Sequence, residues 1–380
     1  MALKQSPYNN MSIPVVRFNT QDQPEFYKEL RKRVNDYFKE KGVSRHADSR
    51  MVIKTVFMVL LYILPLIVLI SGVVTSFWIM MAMWVIMGLG MSGIGLAVMH
   101  DANHGAYSKN PKVNTAVGAI LTLVGGYPPN WKIQHNVLHH SFTNVQGYDE
   151  DIENGLMRFS PDQPKKAIFK YQAYYATFLY GLMTIYWLVG KDIVQLLRYD
   201  KMGLLETQGL SKRRAWSEMI FHKVWYVAIT IVLPMIFLPF AWYQILLGFL
   251  VMHFICGVFL AFIFQPAHVI EETSFFTPSE EGSVENSWAI HQLATTANFA
   301  NDSKILSWFV GGLNFQIEHH LFPNICHIHY KELSPIVKKL AGEYGIPYHQ
   351  HKTFLAALKS HFSLLNDFGT GAYDAKMAAA

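Results

Sequence analysis

The chain has 380 residues, of which 51% are hydrophobic and 16% charged, whereas an ordinary soluble domain has about 25% charged residues. The net charge of +5 is too small to indicate a nucleic acid partner, and an aromatic content of 14% excludes a disordered chain. With 2 cysteines and 17 histidines, a disulfide framework is excluded and any metal site must rely on nitrogen ligands. Composition therefore favours a membrane protein.

The first part of the chain, residues 1–50, is polar and has no pattern of a cleavable signal peptide, so we expect it to be a cytosolic segment. Four apolar side chains recur at every fourth residue among charged ones: Phe26, Leu30, Val34 and Phe38. This spacing predicts an amphipathic helix from Glu25 to about Lys41. Three placements fit it equally: on the bilayer, on a cytosolic domain, or in solvent with one packed face.

Two long apolar runs follow. No Asp, Glu, Lys, Arg or His occurs from Thr55 to Met99, and His253 is the only such residue between Val224 and Ala267. Each run is about twice the roughly 20 residues that one crossing needs, so each predicts a hairpin of two transmembrane helices. The expected spans are about 51–72, 76–99, 222–240 and 242–266.

Basic residues precede the first and third spans, and neither tight turn between paired spans contains Lys or Arg. The positive-inside rule then puts both termini and the long middle segment in the cytoplasm. The apolar stretch from Val113 to Pro128 is too short to cross and predicts a re-entrant or surface segment. The uncharged stretch from Tyr171 to Gly190 is rich in Tyr and Trp, and we expect it to lie on the membrane.

Histidines cluster at the predicted cytoplasmic ends of the spans. His100 and His104 have the i, i+4 spacing that puts two imidazoles on one face of a continuing helix, and His268 stands alone where the second hairpin ends. Two further clusters are His135, His139 and His140, and Gln316, His319 and His320. Each cluster alone is weak evidence, but together they predict one metal site on the cytoplasmic side.

Eight imidazoles exceed the four ligands of a tetrahedral zinc ion, so they suit two adjacent ions of higher coordination number. Imidazole also suits iron, and the membrane setting favours iron acting with oxygen on a lipid, because an unactivated C–H bond requires a strong oxidant. Nearby carboxylates are expected to accept hydrogen bonds from the free imidazole N–H groups: Asp101, Asp149, Asp151 and Glu318. Gln316 and His291 are further candidate ligands, whereas His253 is expected to be hydrogen-bonded between helices within the membrane.

These motifs resemble the three histidine boxes of the membrane fatty-acid desaturase family. The segment Asn314–Pro323, with the sequence NFQIEHHLFP, resembles the third box of front-end (delta-5/delta-6 type) acyl desaturases, in which Gln replaces the first histidine. His268 sits where the family has an isolated extra ligand. Four residues also resemble the segment before the third box: Trp288, Gln292, Thr295 and Asn298. The resemblance covers a membrane domain of residues 51–341 and leaves 342–380 as a cytosolic tail.

The resemblance implies an all-α integral membrane protein with four transmembrane helices under a helical cytosolic cap that carries the metal site. It also implies a di-iron centre, O2 as co-substrate, and a cis double bond introduced into a fatty acyl chain linked to CoA or to a lipid. The His-Pro-Gly-Gly motif of a fused cytochrome b5 domain does not occur in the sequence, so electrons are expected from a separate ferredoxin or cytochrome b5 with its reductase. The second box reads HxxxHH rather than the commoner HxxHH, which sets His135 apart.

Three other functions are weighed against this one. A fatty-acid or alkane hydroxylase of the same superfamily has comparable boxes, although the third box QIEHH argues against it. A histidine-rich metal transporter would hold its ligands near the bilayer midplane, where only His253 is expected. A zinc-dependent membrane hydrolase needs about three protein ligands and a water, which leaves five histidines unused.

Overall fold

The computed structural model describes residues 16–153 and 155–379, which are mostly helical. The helices are α1 (Pro24–Lys41), α2 (Ser49–Ile70), α3 (Phe77–Asn103), α4 (Pro111–Val124), α5 (Pro128–Lys132), α6 (Gln172–Tyr186), α7 (Asp192–Lys201), α8 (Lys212–Phe237), α9 (Trp242–His268), α10 (Trp288–Ala294), α11 (Lys304–Phe309), α12 (Gln316–Leu321), α13 (Tyr330–Glu343), α14 (Phe354–Thr370) and α15 (Ala372–Ala379). The strands form two parallel pairs, β1 (Arg17–Phe18) with β2 (Ser283–Val284) and β3 (Ala297–Phe299) with β4 (His349–His351).

Several helices are interrupted or extended by other helical turns. The π-helical segments are Ile94–Val98 in α3, Ile133–His139 after α5, Trp187–Lys191 between α6 and α7, and Ala228–Val232 in α8. The 3-10 turns are Ala119–Val124 at the end of α4, Ala167–Tyr171, Leu204–Gln208 and His327–His329. Two of the π-helical segments directly precede or contain predicted metal ligands, which is a common location for such distortions.

Helices α2, α3, α8 and α9 are long and apolar enough to cross a membrane, which confirms the prediction of four spans in two hairpins. Helix α8 begins at Lys212, earlier than the predicted start near residue 222. The Ser211 hydroxyl oxygen accepts a hydrogen bond from the Arg214 backbone N–H and caps this helix, so helical structure extends through the basic segment that precedes the apolar run.

Small residues let the membrane helices approach closely. A Cβ atom on Gly90 of α3 would lie 2.6 Å from the backbone nitrogen of Tyr62 in α2, and a Cβ atom on Gly248 of α9 would lie 2.1 Å from the Trp84 ring of α3. Helix α3 therefore packs tightly between α2 and α9. The turns within the two hairpins lie next to each other, because Gly72 faces the Phe237 carbonyl. Both turns are therefore at one end of the bundle, and the chain leaves both hairpins at the other end, where the histidines lie.

Most of the aromatic stretch from Tyr171 to Gly190 forms α6, which packs along α9, and the rest lies in the π-helical segment that follows. The His253 imidazole in α9 accepts a hydrogen bond from the Tyr226 hydroxyl of α8 at 2.8 Å and donates one to the Thr184 hydroxyl of α6 at 3.0 Å. This confirms the prediction that His253 is hydrogen-bonded between helices. Tyr174 on the outer face of α6 is 83% exposed, and the expected contact of this face with lipid stays a prediction.

A helical cap covers the end of the bundle where the histidines lie. Helix α1 begins at Pro24, one residue before the predicted start, and packs on α13. Its four apolar side chains share one buried cluster with Leu333, Val337 and Leu340, and Arg33 pairs with Glu343 at 2.7 Å. Of the three placements that the sequence left open, the structure shows the one on the cap: the amphipathic helix packs on α13.

The last forty residues contain β4, α14 and α15, and α14 packs against both α6 and α9. The buried His361 imidazole of α14 donates a hydrogen bond to the Val269 carbonyl at 2.7 Å and accepts one from the Tyr180 hydroxyl at 2.7 Å. The C-terminal part of the chain is thereby joined to the end of α9, next to His268.

Candidate metal centre

The structure brings all eight predicted histidine ligands into one cluster at the end of the helical bundle. They come from the end of α3, the turn after α5, the end of α9 and the short helix α12. Seven of them are buried and His104 is half-buried: His100, His104, His135, His139, His140, His268, His319 and His320.

One group within the cluster joins His100, His104, His135 and His319, whose ring nitrogens lie within 4.8 Å of one another. The two imidazoles from α3 are neighbours along the helix, with ring centroids 4.8 Å apart. His100 Nε2 lies 3.0 Å from His135 Nε2. Four imidazole nitrogens at this separation form a set that could hold one metal ion.

A second group joins His139, His268 and His320, again with ring nitrogens within 4.8 Å of one another. The His139 and His320 ring centroids lie 4.8 and 4.6 Å from that of His268. His140 lies between the two groups, because it shares a set of close nitrogens with His319 and His320 and its Nε2 is 2.9 Å from His319 Nε2. The cluster therefore has room for more than one ion.

A π-helical turn places the second box. The His140 backbone N–H donates to the His135 carbonyl at 3.0 Å, an i to i+5 hydrogen bond. His135 and His140 are therefore one turn apart on the same side of the chain, and their Nε2 atoms are 3.2 Å apart. The unusual HxxxHH spacing is accommodated by this wider turn.

Polar contacts outside the cluster hold four of the rings by Nδ1 and turn Nε2 inward. These contacts are His139 with Asp149 at 3.1 Å, His268 with the Thr295 carbonyl at 3.1 Å, His319 with the Tyr330 hydroxyl at 3.1 Å, and His320 with the Gln292 side-chain oxygen at 2.8 Å. Among the described residues, the buried Nε2 atoms of His104, His268 and His320 have no hydrogen-bond partner. Such inward-facing nitrogens fit the role of metal ligands.

Burial also sets the protonation of the ligands outside the spans. Removal from water, together with the neighbouring imidazoles, lowers the pKa of five histidines well below its usual value: His104, His135, His140, His319 and His320. A neutral imidazole offers a lone pair to a metal ion. The donor set is therefore prepared to bind metal at neutral pH.

His139 is the exception, because it contacts carboxylates. Burial alone would lower its pKa, but the Asp149 carboxylate outweighs burial and raises it. Asp149 is fixed by the backbone N–H groups of Asn144 and Asp151, at 2.9 and 3.0 Å. The predicted hydrogen-bond acceptor role of Asp149 thus corresponds to a contact in the structure, and Asp151 is 3.5 Å from His139.

Asp101 follows His100 and is also buried. Its Oδ2 accepts hydrogen bonds from the backbone N–H and Nδ1–H of His327, at 3.0 and 2.9 Å, while its Oδ1 lies 4.0 Å from His100 Nδ1. Lys54 of α2 donates to His327 Nε2 at 2.7 Å. Sequence reasoning assigned no role to Lys54, although a lysine within a predicted span is itself a signal of function.

Three other predicted residues have different surroundings. His291 donates to the Thr143 carbonyl at 2.7 Å and is in neither group. The Glu318 carboxylate accepts hydrogen bonds from Asn298 and Tyr348, both at 2.8 Å, rather than from an imidazole. Gln316 is buried, and its amide nitrogen has no partner in the described part of the chain.

An aromatic side chain that sequence reasoning missed covers one side of the cluster. The Trp131 ring lies 4.5 Å from the His135 ring and 5.5 Å from the His100 ring, measured between centroids. Phe264 of α9 lies 6.2 Å from the same two rings. Trp131 stands four residues before His135, one helical turn away, and this spacing was the available signal.

Comparisons with known proteins agree with this geometry. The family model described as fatty acid desaturase matches residues 76–352. The chain is 35% identical to the sn-1 linoleoyl-lipid 6-desaturase of Synechocystis sp., over 90% of this chain and 95% of that protein. It is 34% identical to the acyl-lipid (8-3)-desaturase of Physcomitrium patens, over 91% of this chain and 72% of that protein, and 32% identical to the probable delta(5) fatty acid desaturase C of Dictyostelium discoideum, over 92% and 77%. The chain therefore belongs to the fatty acid desaturase family and is a membrane enzyme that desaturates fatty acyl chains.

Proposed function

We propose that this desaturase holds two iron ions and uses O2 to insert a cis double bond between an existing double bond and the carboxyl end of a lipid-linked acyl chain. The observation that carries the proposal is the division of eight imidazoles into two groups with His140 between them. Family membership implies iron, and an all-nitrogen ligand set suits it.

The division suggests a ligand set for each ion. The first would be held by His100, His104, His135 and His319, and the second by His139, His140, His268 and His320. Iron with O2 supplies the oxidising power to remove hydrogen from an unactivated methylene group. We infer no role as ligand for His291, whose ring donates to the Thr143 carbonyl. Gln316, which is buried and has an unpartnered amide nitrogen among the described residues, stays a candidate ligand.

The protein itself supplies position. The Nδ1 contacts of His139, His268, His319 and His320 hold these rings at fixed angles. The Trp131 and Phe264 rings form an apolar wall on one side of the cluster. An acyl chain has no polar handle except its head group, so an apolar wall is the surface that suits it. A displacement of about 1 Å of the reacting carbons can cost on the order of a hundredfold in rate.

An electron donor follows from the balance of the reaction. Removing two hydrogens from the acyl chain supplies two electrons, whereas reducing O2 to two waters takes four. We propose that a separate ferredoxin or cytochrome b5, with its reductase, supplies the other two electrons together with two protons from water.

We further propose that both termini and the metal centre face the cytoplasm. The support is the basic segments that precede α2 and α8. In this arrangement residues 51–341 are the membrane domain, and 1–50 and 342–380 are cytosolic. Tags at either terminus and near Lys165 should then be accessible only from the cytoplasmic side.

The lipid carrier and the double-bond position rest on the names of the relatives, which are acyl-lipid 6- and (8-3)-desaturases. The test is product analysis of membranes from a host that expresses the chain and is fed polyunsaturated fatty acids deuterated at single methylenes. Loss of label between the existing double bond and the carboxyl end is expected. A new double bond towards the methyl end would contradict the front-end proposal, and metal analysis of the purified protein that finds one zinc would contradict the iron site.

A further inference from the structure

A chain of three buried ionisable side chains runs from α2 to the first ligand group: Lys54, His327 and Asp101. Their exposed fractions are 4%, 5% and 2%. Lys54 and Asp101 come from two different membrane helices, and His327 comes from the segment after the third box. Burying a lysine costs free energy unless it is paired and hydrogen-bonded, so this arrangement requires an explanation.

The hydrogen bonds among Lys54, His327 and Asp101 have defined donors and acceptors. The Lys54 ammonium can only donate, so His327 Nε2 must accept at 2.7 Å and the ring must carry its hydrogen on Nδ1. That Nδ1–H then donates to Asp101 Oδ2 at 2.9 Å, beside the His327 backbone N–H at 3.0 Å. The hydrogen bond from Lys54 thus fixes the tautomer of His327, with its hydrogen on the nitrogen that faces Asp101.

The other carboxylate oxygen faces a metal ligand. Asp101 Oδ1 is 4.0 Å from His100 Nδ1, and that nitrogen has no hydrogen-bond partner among residues 16–153 and 155–379. His100 Nε2 points the other way, 3.0 Å from His135 Nε2. With Oδ2 held by two donors, the carboxylate presents its remaining oxygen to the side of His100 that is away from the ligand group.

The same segment contacts a second ligand of that group. Three residues after His327, the buried Tyr330 hydroxyl lies 3.1 Å from His319 Nδ1. The turn from His327 to Tyr330 therefore contacts both α3, through Asp101, and α12, through His319. A displacement of this turn would affect two of the four ligands in the first group.

Asp101, His327 and Cys326 have ligand atoms close enough to hold a metal ion of their own. The positively charged group already at this place is the Lys54 ammonium, which is hydrogen-bonded to His327. A third ion would have to displace this buried ammonium group. The cluster is therefore better explained as support for the neighbouring centre.

We propose that Lys54 and His327 are positioning residues, which act through Asp101 to hold His100 in the orientation that binds the first metal ion. This proposal rests on the two-ion site proposed above. Loss of an outer partner of a metal ligand typically costs 10- to 100-fold in metal affinity or activity. The loss of metal affinity is expected at the first ion and not at the second, whose ligands do not contact Lys54, His327 or Asp101.

The test uses the full-length protein purified in detergent, with bound iron per chain and kcat and KM measured separately. Lys54→Met should lose about one of two irons and lower kcat by about tenfold or more with KM little changed, because the proposed role of Lys54 is on a metal ligand and not on the substrate. Lys54→Arg keeps a donor and should restore most of both. Arg50→Met is the matched control, since Arg50 lies one turn earlier on α2, is exposed and pairs only with Asp48 among the ion pairs of the described residues.

Each outcome decides between the proposals. Wild-type protein without iron would overturn the two-ion site, whereas two irons in both wild type and Lys54→Met would overturn the positioning role alone. Equal losses in Lys54→Met and Arg50→Met would also overturn it. If Lys54→Met does not fold, the shorter apolar variant Lys54→Leu, which also cannot donate to His327, is used, and iron loss without a change in gel-filtration profile is the supporting result.

Discussion

The two hairpins present their metal ligands in different ways. Helix α3 continues past His100 to Asn103, directly before His104. The buried Asp101 carboxylate, which is held by His327 and through it by Lys54, faces its first ligand, His100. Helix α9 stops at His268, whose carbonyl accepts hydrogen bonds from Asn144 and Thr273 at 2.8 and 2.6 Å. The end of the first hairpin at His100, here called the first exit, therefore depends on a single sequence of contacts between charged and polar groups. The end of the second hairpin at His268, the second exit, depends on several independent neutral hydrogen bonds. Single changes should be more damaging at the first exit.

The two exits should be equivalent only when a ligand itself is removed. We expect His100→Ala and His268→Ala each to abolish product formation and lower bound iron, because each takes one nitrogen from a shared centre. Product analysis and metal content, measured on protein that still inserts in the membrane, check this. His222→Ala, which changes a half-buried histidine of α8 outside both groups, should behave as wild type. A ligand variant with most of its activity and iron would remove that histidine from the site.

Neutralising the first exit should give the next largest effect. Asp101→Asn removes the charge that faces His100 and, with the amide oxygen kept on the two donors of His327, puts an NH2 group opposite His100 Nδ1, so activity should fall by about 10- to 100-fold. Steady-state kinetics at saturating substrate measure the loss. Asp48→Asn, at the exposed cap of α2, is the control. Activity within twofold of wild type would mean that the carboxylate charge does not contribute.

The same kind of change at the second exit should be milder. Thr273→Val removes one of the two donors to the His268 carbonyl, and the Asn144 donor remains. We expect activity to fall only a few-fold and the free energy of unfolding to fall by about 1 kcal/mol. Thermal unfolding and kinetics, with Thr115→Val as an exposed control, measure both. A loss as large as that of Asp101→Asn would contradict the contrast between the two exits.

The smallest effect at pH 7 concerns His361, which holds the Val269 carbonyl. Burial lowers its pKa from about 6.5 to about 4, so between these values the unfolded chain binds more protons than the folded one. Stability that is fully present above pH 6.5 should therefore decrease as the pH falls towards 4, by roughly 3 kcal/mol at most. Thermal unfolding from pH 7.5 to 4.5 measures it, and His361→Gln should flatten the profile over this range. An unchanged profile in His361→Gln would exclude this histidine as the source.

The sequence predicts those parts of the molecule that depend on local patterns. Runs without charge define the four spans, and the clusters of histidines follow directly from their spacing. The contacts of Lys54 with His327 and of Trp131 with His135 depend on how separate segments pack, so no local pattern specifies them. The predicted span from about residue 222 does not specify the start of α8 at Lys212, because hydropathy marks the apolar run, while a hydrogen-bonded cap decides where a helix begins.

The π-helical turn between His135 and His140 has a consequence for how the second box can vary in length. A turn closed by an i to i+5 hydrogen bond contains one residue more than an α-helical turn. Deleting either Asn136 or Val137 would give the spacing HxxHH and allow the turn to close as an ordinary α-helix. Helix α5 before the turn and the His139–Asp149 contact after it would then be unchanged. The backbone therefore accommodates the extra residue of this box within one turn. In a regular α-helix, an inserted residue would rotate every ligand after it by about 100°.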